Sequence, residues 1–396
     1  MASKKLLLLT GVICLLASSG FSQRVGASFD VKDSSVVPNK RMPQHSEFLN
    51  GTYNFPAKPR NQWEIGIKGG LFQVSGDIPA KVFSPGFGLH VRKAFGYIFS
   101  MRLEYLYGIG KGMDFTESYN FGKNPAWAAN GSAATSYSAP MLQSAGPGSN
   151  VQMVSSLWTY FNAPQATPNE LIYYNYKTKV QDLSLQGVVT LNNVRFHKAK
   201  TGFNFYGFAG IGATVYDTKV NALNEGVGQN QKYNFATISP SSQYKKRKDT
   251  YDALKALMDD TYETPAENQG ERRPKLFGKT FKPSGTVGAG IAFKLSNRLN
   301  LAIEDRWTFI KDDLLDGQRW QEHPEGSAVL TRDFDSYNYA TIGLNINLGA
   351  KSVEPLWWLN PLDYAYSEIR NPRLMRLPKP VLPDSDGDGV TDQFDQ

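Results

Sequence analysis

The residues with the clearest chemical purpose lie at 384–395, which read Asp-Ser-Asp-Gly-Asp-Gly-Val-Thr-Asp-Gln-Phe-Asp. Numbered as a twelve-position loop, the run places acidic side chains at positions one, three, five, nine and twelve and Gly389 at position six. Calcium takes six to eight oxygens at about 2.3–2.6 Å, and this spacing turns alternate side chains toward one ion while the glycine takes the sharp bend. The expected ligands are the carboxylates of Asp384, Asp386, Asp388, Asp392 and Asp395 and the carbonyl of Val390. The competing reading is a solvated acidic tail, because clustered like charges form interaction tails. Five matched positions and the glycine favour the metal, so Ca2+ is the one cofactor the sequence implies. Asp395 stands where an EF-hand carries Glu, and no helical pattern flanks the run.

Catalysis has less to draw on. The four histidines are His45, His90, His197 and His323. His90 alternates with Leu89 and Val91, which assigns it to a polar strand face, while His197 falls in a turn and His323 in a loop beside Glu322 and Pro324. No serine or carboxylate stands at catalytic spacing to any of them, so the chain is not expected to be an enzyme. The 43 Lys and Arg exceed the 36 Asp and Glu by a net charge of +7, but apart from Lys245, Lys246, Arg247 and Lys248 the basic residues are scattered. Nucleic acid is therefore not an expected partner.

The elements that must carry these residues begin with an export signal. Lys4 and Lys5 precede a short apolar stretch at 6–17, followed by Ser18, Ser19, Gly20 and Ser22. That is the layout of a secretory signal peptide over residues 1–22, with a mature start near Gln23. Cys14 is the only cysteine and lies inside it. A mature exported chain without thiols has neither disulfides nor thiolate metal sites, so a large core or a membrane must hold it.

After the signal no apolar run approaches the roughly 20 residues a membrane helix needs, and mean hydropathy is negative. Period-two alternation recurs instead, the mark of strands with one apolar and one polar face. Trp63, Ile65, Ile67 and Leu71 alternate with Glu64, Gly66, Lys68 and Gly70, and Leu103, Tyr105 and Tyr107 with Arg102, Glu104 and Gly108. Similar runs near 87–92, 182–191, 203–215, 287–295, 299–309 and 341–348 bring the count to eight strands. Eight is the smallest even number that closes a bacterial membrane barrel, and about ten tilted residues climb about 25 Å, the height of its apolar band. Short connections at 94–97, 197–202 and 296–298 alternate with long ones at 112–171, 219–281 and 311–335, whereas the first loop, at 77–81, is brief. That alternation of periplasmic turns and extracellular loops is the barrel pattern.

The fold class expected is all-β, an eight-stranded antiparallel transmembrane β-barrel over 62–350 with long extracellular loops and a C-terminal periplasmic extension. A periplasmic segment at 23–61 precedes it, and a linker at 351–383 leads to the calcium-binding repeat at 384–396. Within the long connection at 219–281, residues 249–260 form a candidate helix capped by Asp249 with Tyr251, Leu254, Leu257 and Met258 on one face, placed on the barrel rim. Glu64, Lys68, Arg92, Arg102, Glu104, Asp182, Lys294, Glu304 and Arg306 project into the lumen on this register and should pair into a polar plug. Trp357 and Trp358 have two readings of equal weight, an aromatic belt at the membrane interface and a segment covering the barrel mouth.

Signal peptide, small barrel, linker and an aspartate-rich repeat of thrombospondin type 3 character together resemble the N-terminal part of an outer-membrane protein A (OmpA) family member of Bacteroidota type. The resemblance spans the chain as architecture, with residues 384–395 its one specific motif. It implies a structural protein in the cell outer membrane, both termini periplasmic, in contact with outer-membrane lipid. It also implies a link to peptidoglycan through a C-terminal domain that residues up to Gln396 do not include, so that the chain is a fragment or that function is absent. A subunit of a larger outer-membrane insertion or secretion complex, docking other envelope proteins, is the main rival. A small-solute pore is the second.

Overall fold

The computed structural model describes residues 31–60, 63–118, 125–128, 171–194, 202–224, 231–238, 246–266, 274–296, 298–321, 329–330, 334–349 and 354–360, with residues 362 and 365. The signal segment, His197, His323 and all six expected calcium ligands lie outside them. Eight long strands run in chain order: β1 Trp63–Ser75, β2 Pro85–Ala94, β3 Phe99–Ser118, β4 Ile172–Thr190, β5 Phe203–Val220, β6 Lys279–Lys294, β7 Leu299–Ile310 and β8 Ser336–Leu348. Consecutive strands pair antiparallel from β1 to β8, and β8 pairs back onto β1, so the sheet closes into a ring with no free edge among the long strands. Closure pairs every wall strand on both sides, which is what a sheet in lipid requires.

The alternation in the sequence is the alternation of the wall. Along β1, Glu64, Gly66, Lys68, Phe72 and Val74 are buried while Trp63, Ile65, Ile67 and Leu71 are exposed. The outward set continues through Leu89, Leu103, Leu185, Phe205, Ile303 and Leu344, all exposed, as an apolar girdle that only lipid would cover. Leu103 and Ile303 face out and Arg102 and Glu304 face in, as the register required. Asp305, paired across from Ala340 and bonded by Asn338 Nδ2 at 2.7 Å, stands at the level of Leu71 and marks the upper limit of the girdle on β7. Trp307 and Phe309 lie above it.

Short turns close one end of the barrel. Phe95 N–H donates to Phe99 O at 3.0 Å, and Leu295 N–H to Leu299 O at 3.0 Å. At the other end β3, β4 and β5 run on for 20, 19 and 18 residues, past the girdle, so the long connections begin later than the sequence suggested. Over residues 172–176 both faces of β4 are buried because loop segments fold onto the extension. Phe235 packs 5.7 Å from the Tyr173 ring, and helix α2, Arg247–Leu257, sits against β3 with Tyr251 Oη donating to Met113 O at 3.1 Å. The helix thus lies on the rim as expected, with Leu254 buried, but it starts two residues before Asp249. Asp249 falls in the first turn, where its charge meets the positive helix end, and makes no cap. An N-terminal segment with helix α1, Met42–Leu49, lies by the turn end.

Candidate functional site: the filled lumen and its two ends

Inward positions are filled in three layers. In the middle, Lys68 Nζ from β1 donates to Glu104 Oε2 at 2.8 Å and Glu304 Oε2 at 2.6 Å. Arg102 Nη1 donates to Glu304 Oε1 at 2.6 Å, and its Nε to Gln186 Oε1 at 2.8 Å. Arg306 Nη1 reaches Glu104 Oε1 at 3.0 Å, and its Nη2 bonds Asp182. Tyr206 Oη donates to Glu304 Oε1 at 2.7 Å, while Ser284 and Thr214 hydroxyls donate to Asp182 Oδ2 at 2.8 and 2.9 Å. Three cations, Lys68, Arg102 and Arg306, therefore face three carboxylates, Glu104, Glu304 and Asp182, each at most 5% exposed. Burying any one of these charges alone would cost several kcal/mol, and the mutual pairing with satisfied lone pairs is what offsets it. Strand glycines let the large side chains lie flat against the wall. A Cβ at Gly108 would come within 2.4 Å of the Phe72 ring, and one at Gly290 within 2.7 Å of Tyr206 Oη.

Toward the turn end, Glu64 faces His90 at 3.5 Å and Arg92 at 3.9 Å and accepts from Asn300 Nδ2 at 3.0 Å. Below them the chain after β8 turns back into the mouth. Residues 354–360 are all buried. The Trp357 ring lies 4.0 Å from the Arg92 guanidinium, a cation–π contact in a desolvated site. Asn193 Nδ2 and Asn204 Nδ2 both donate to Trp357 O, at 2.9 and 3.3 Å. Leu356, Trp357, Trp358 and Leu359 pack against Ala94, Val188, Phe208, Ala292 and Ala302. Of the two readings for Trp357 and Trp358 the structure selects the one that covers the mouth. Lys294 belongs here and not to the central network: its Nζ pairs with Glu354 Oε1 at 2.5 Å, and its side chain is 31% exposed. Position 294 is the last of β6, too far from the barrel centre for its stem to reach Glu304.

At the loop end the inward residues become apolar. Phe72, Val74, Leu106, Tyr176, Val180, Tyr216, Tyr337 and Tyr339 form one cluster with Ile78 and Leu315 from the loops. Two carboxyls are buried at its edge. Asp316 accepts from Ile78 N–H and Gln318 N–H, each at 3.0 Å, and Asp335 accepts from Leu315 N–H at 2.7 Å, so the β1–β2 and β7–β8 connections are tied together. A Cβ on Gly76 would touch both, 2.4 Å from Asp335 Oδ1 and 2.6 Å from Asp316 Oδ2. Burial pushes Asp316 up to about 7, with the charges of Asp77 and Asp313 adding to it. Burial and the neighbouring Asp316 push Asp335 up to about 10. The local sequence did not pair Asp316 with Ile78, Asp335 with Leu315, or Asn193 and Asn204 with Trp357, because those partners lie in other connections or far along the chain.

One Ser–His contact exists among the described residues: Ser34 Oγ and His45 Nε2 are 3.0 Å apart. His45 Nδ1 is buried without a hydrogen-bond partner, so no third group orients the ring as a nucleophile's base requires. The contact joins the 3₁₀ turn Ser34–Val36 to α1.

No protein-family model and no curated protein matches the chain. Among solved structures it is similar to the attachment invasion locus protein Ail of Yersinia pestis, with 10% identity and a TM-score of 0.29 over 73% of this chain and 99% of that one. It is similar to the N-terminal β-barrel domain of Pseudomonas aeruginosa OprF, with 8% identity and a TM-score of 0.26 over 73% of this chain and 100% of that one. It is also similar to the outer membrane protease OmpT of Escherichia coli, with 7% identity and a TM-score of 0.28 over 72% of this chain and 97% of that one. At such values these likenesses decide no function, and the barrel stands on the strand pairing of the chain itself.

Proposed function

We propose that the chain is a structural outer-membrane barrel, closed to solutes, that anchors a calcium-binding arm in the periplasm. The observation that carries this is the lumen, filled from Trp357 at the turn end through the Lys68, Arg102 and Arg306 pairs to the tyrosines at the loop end. A diffusion pore needs an open polar path, and a wall of only eight strands leaves room for side chains alone. What such a barrel contributes is attachment. The turn end is then periplasmic and the elongated end extracellular, and the chain beyond residue 360 leads to the aspartate run at 384–395 on the periplasmic side. Linkage to peptidoglycan is the further step that a calcium-stiffened arm would serve.

Calorimetry of the intact chain with calcium tests the arm. Affinity of about 10⁻⁴ to 10⁻³ M, typical of extracellular modules, is expected, with magnesium a poor competitor. Absence of heat at millimolar calcium, or binding unchanged in Asp388→Ala, would reduce 384–395 to a solvated tail. The folded loop end favours a second reading, docking within a larger envelope complex, because α2 and the Phe235 segment are packed on the wall and offer a fixed surface. Co-purification of stoichiometric envelope proteins from native membranes would support that reading over a lone anchor.

A further inference from the structure

We propose that the groove between the N-terminal segment and the β2–β3 turn is a binding site for the phosphate headgroup of an anionic phospholipid in the leaflet on the turn side. The groove has a volume of about 480 Å³ and is lined by Arg41, Gln44, Phe55, Lys58 and Tyr97, with Pro56 and Leu362. That volume lies in the range of small-molecule sites, about 300–1,000 Å³.

Its chemistry is one-sided. Among the described residues, two cations line it and no acidic residue does. Arg41 and Lys58 have no carboxylate partner among the described residues; Lys58 Nζ only rests 5.5 Å from the centre of the Tyr97 ring. The buried lumen cations Lys68, Arg102 and Arg306 are matched by carboxylates, whereas Arg41 and Lys58 are half-buried. Unmatched cations beside a protonated hydroxyl and an amide form a donor set for phosphate oxygens, arginine supplying paired N–H groups and lysine a point charge. Burial pushes the Tyr97 hydroxyl up to about 12, so it remains a donor at any physiological pH.

Position names the source of the phosphate. Tyr97 lies in the turn between Ala94 and Phe99, where the apolar girdle ends at the exposed Phe95 and Phe99 rings. That is the headgroup level of the membrane the girdle implies, where tyrosines concentrate and anionic lipid attracts basic side chains. Phe55, 59% exposed at the groove, adds an aromatic face on the same side. This inference rests on the membrane-barrel reading above.

Native mass spectrometry of the full chain, released from detergent after equilibration with dioleoylphosphatidylglycerol or dioleoylphosphatidylcholine, tests it. One phosphatidylglycerol should be retained in preference to phosphatidylcholine. Each cation near a membrane surface contributes such that removing two weakens retention about 30-fold, so Arg41→Gln with Lys58→Gln should abolish the preference. Lys40→Gln, an exposed lysine outside the groove, should leave it intact. Equal retention of the two lipids, an unaffected double variant, or an equal loss in Lys40→Gln would each overturn the proposal. Inorganic phosphate at 10 mM protecting the groove as well as the lipid does would replace the lipid with a soluble phosphate. Co-sedimentation with phosphatidylcholine vesicles separates the two levels: failure to insert overturns the membrane reading itself, whereas insertion without lipid preference overturns only the site.

Discussion

Glu304 is the point at which the central network can be broken most informatively. It accepts from Lys68 Nζ and Arg102 Nη1, each at 2.6 Å, and from Tyr206 Oη at 2.7 Å. Glu304→Gln keeps the volume and one carbonyl acceptor but leaves three cations facing two carboxylates. At 2.6 Å each lost ion pair forfeits about 6 kcal/mol of Coulomb attraction at an effective dielectric of about 20. The desolvation that the neutral amide avoids offsets several kcal/mol of that sum, so the expected net cost is about 3–5 kcal/mol, the usual result of breaking a buried pair from one side. Lys68→Met in the same chain removes the surplus charge at nearly the same length, and the double variant should recover to within about 2 kcal/mol of the parent. Urea unfolding in detergent micelles, followed by tryptophan fluorescence, gives these differences from the midpoints when the slopes agree. A cost below about 1 kcal/mol for Glu304→Gln would refute the argument that charge pairing holds the lumen. So would a double variant as unstable as the sum of the two single ones.

The girdle predicts that Leu103→Arg costs about 2–4 kcal/mol, whereas Gln73→Arg, outward but above the girdle, costs about 0–1 kcal/mol; equal unfolding midpoints in lipid vesicles would contradict the membrane level assigned to them. Trp357→Ala should lower stability by about 3–5 kcal/mol through the cavity it leaves under Arg92, while planar-bilayer current stays small because the central ion pairs still fill the barrel. A large steady current from the parent protein would overturn the closed lumen altogether. At the loop end, Asp316 and Asp335 hold their protons more tightly when folded than unfolded. Their contribution is thus full below the ordinary aspartate value and is lost as pH rises through about 7 and then about 10. Limited proteolysis of the 311–335 connection should accelerate from pH 5.5 to 8.5 in the parent and much less in Asp316→Asn, which removes the carboxyl that titrates at about 7 inside that window, and an identical rise in both would exclude Asp316 as its cause.

Much of the barrel was legible before any coordinate, because a half-buried strand writes its two faces into the sequence as strict alternation. Trp63 to Leu71 and Phe99 to Ile109 each declared which residues point outward, and the alternation of short and long connections declared which end carries the tight turns. The same pattern named the lumen charges correctly from Glu64 to Arg306, with Lys294 the exception at the mouth. Period two says which face a side chain takes and nothing about what stands opposite. Lys68 meets Glu304 across 236 residues of chain, and Asn193 meets the Trp357 carbonyl across 164. Only closure of β8 on β1 and β5 on β6 brings such pairs together. The burial of β4 on both faces above the girdle, and the turn of residues 354–360 into the mouth, were invisible for the same reason. Local composition determined the wall, whereas the contents of the barrel were decided by packing, since desolvated charges and aromatic rings settle only where the far wall supplies partners.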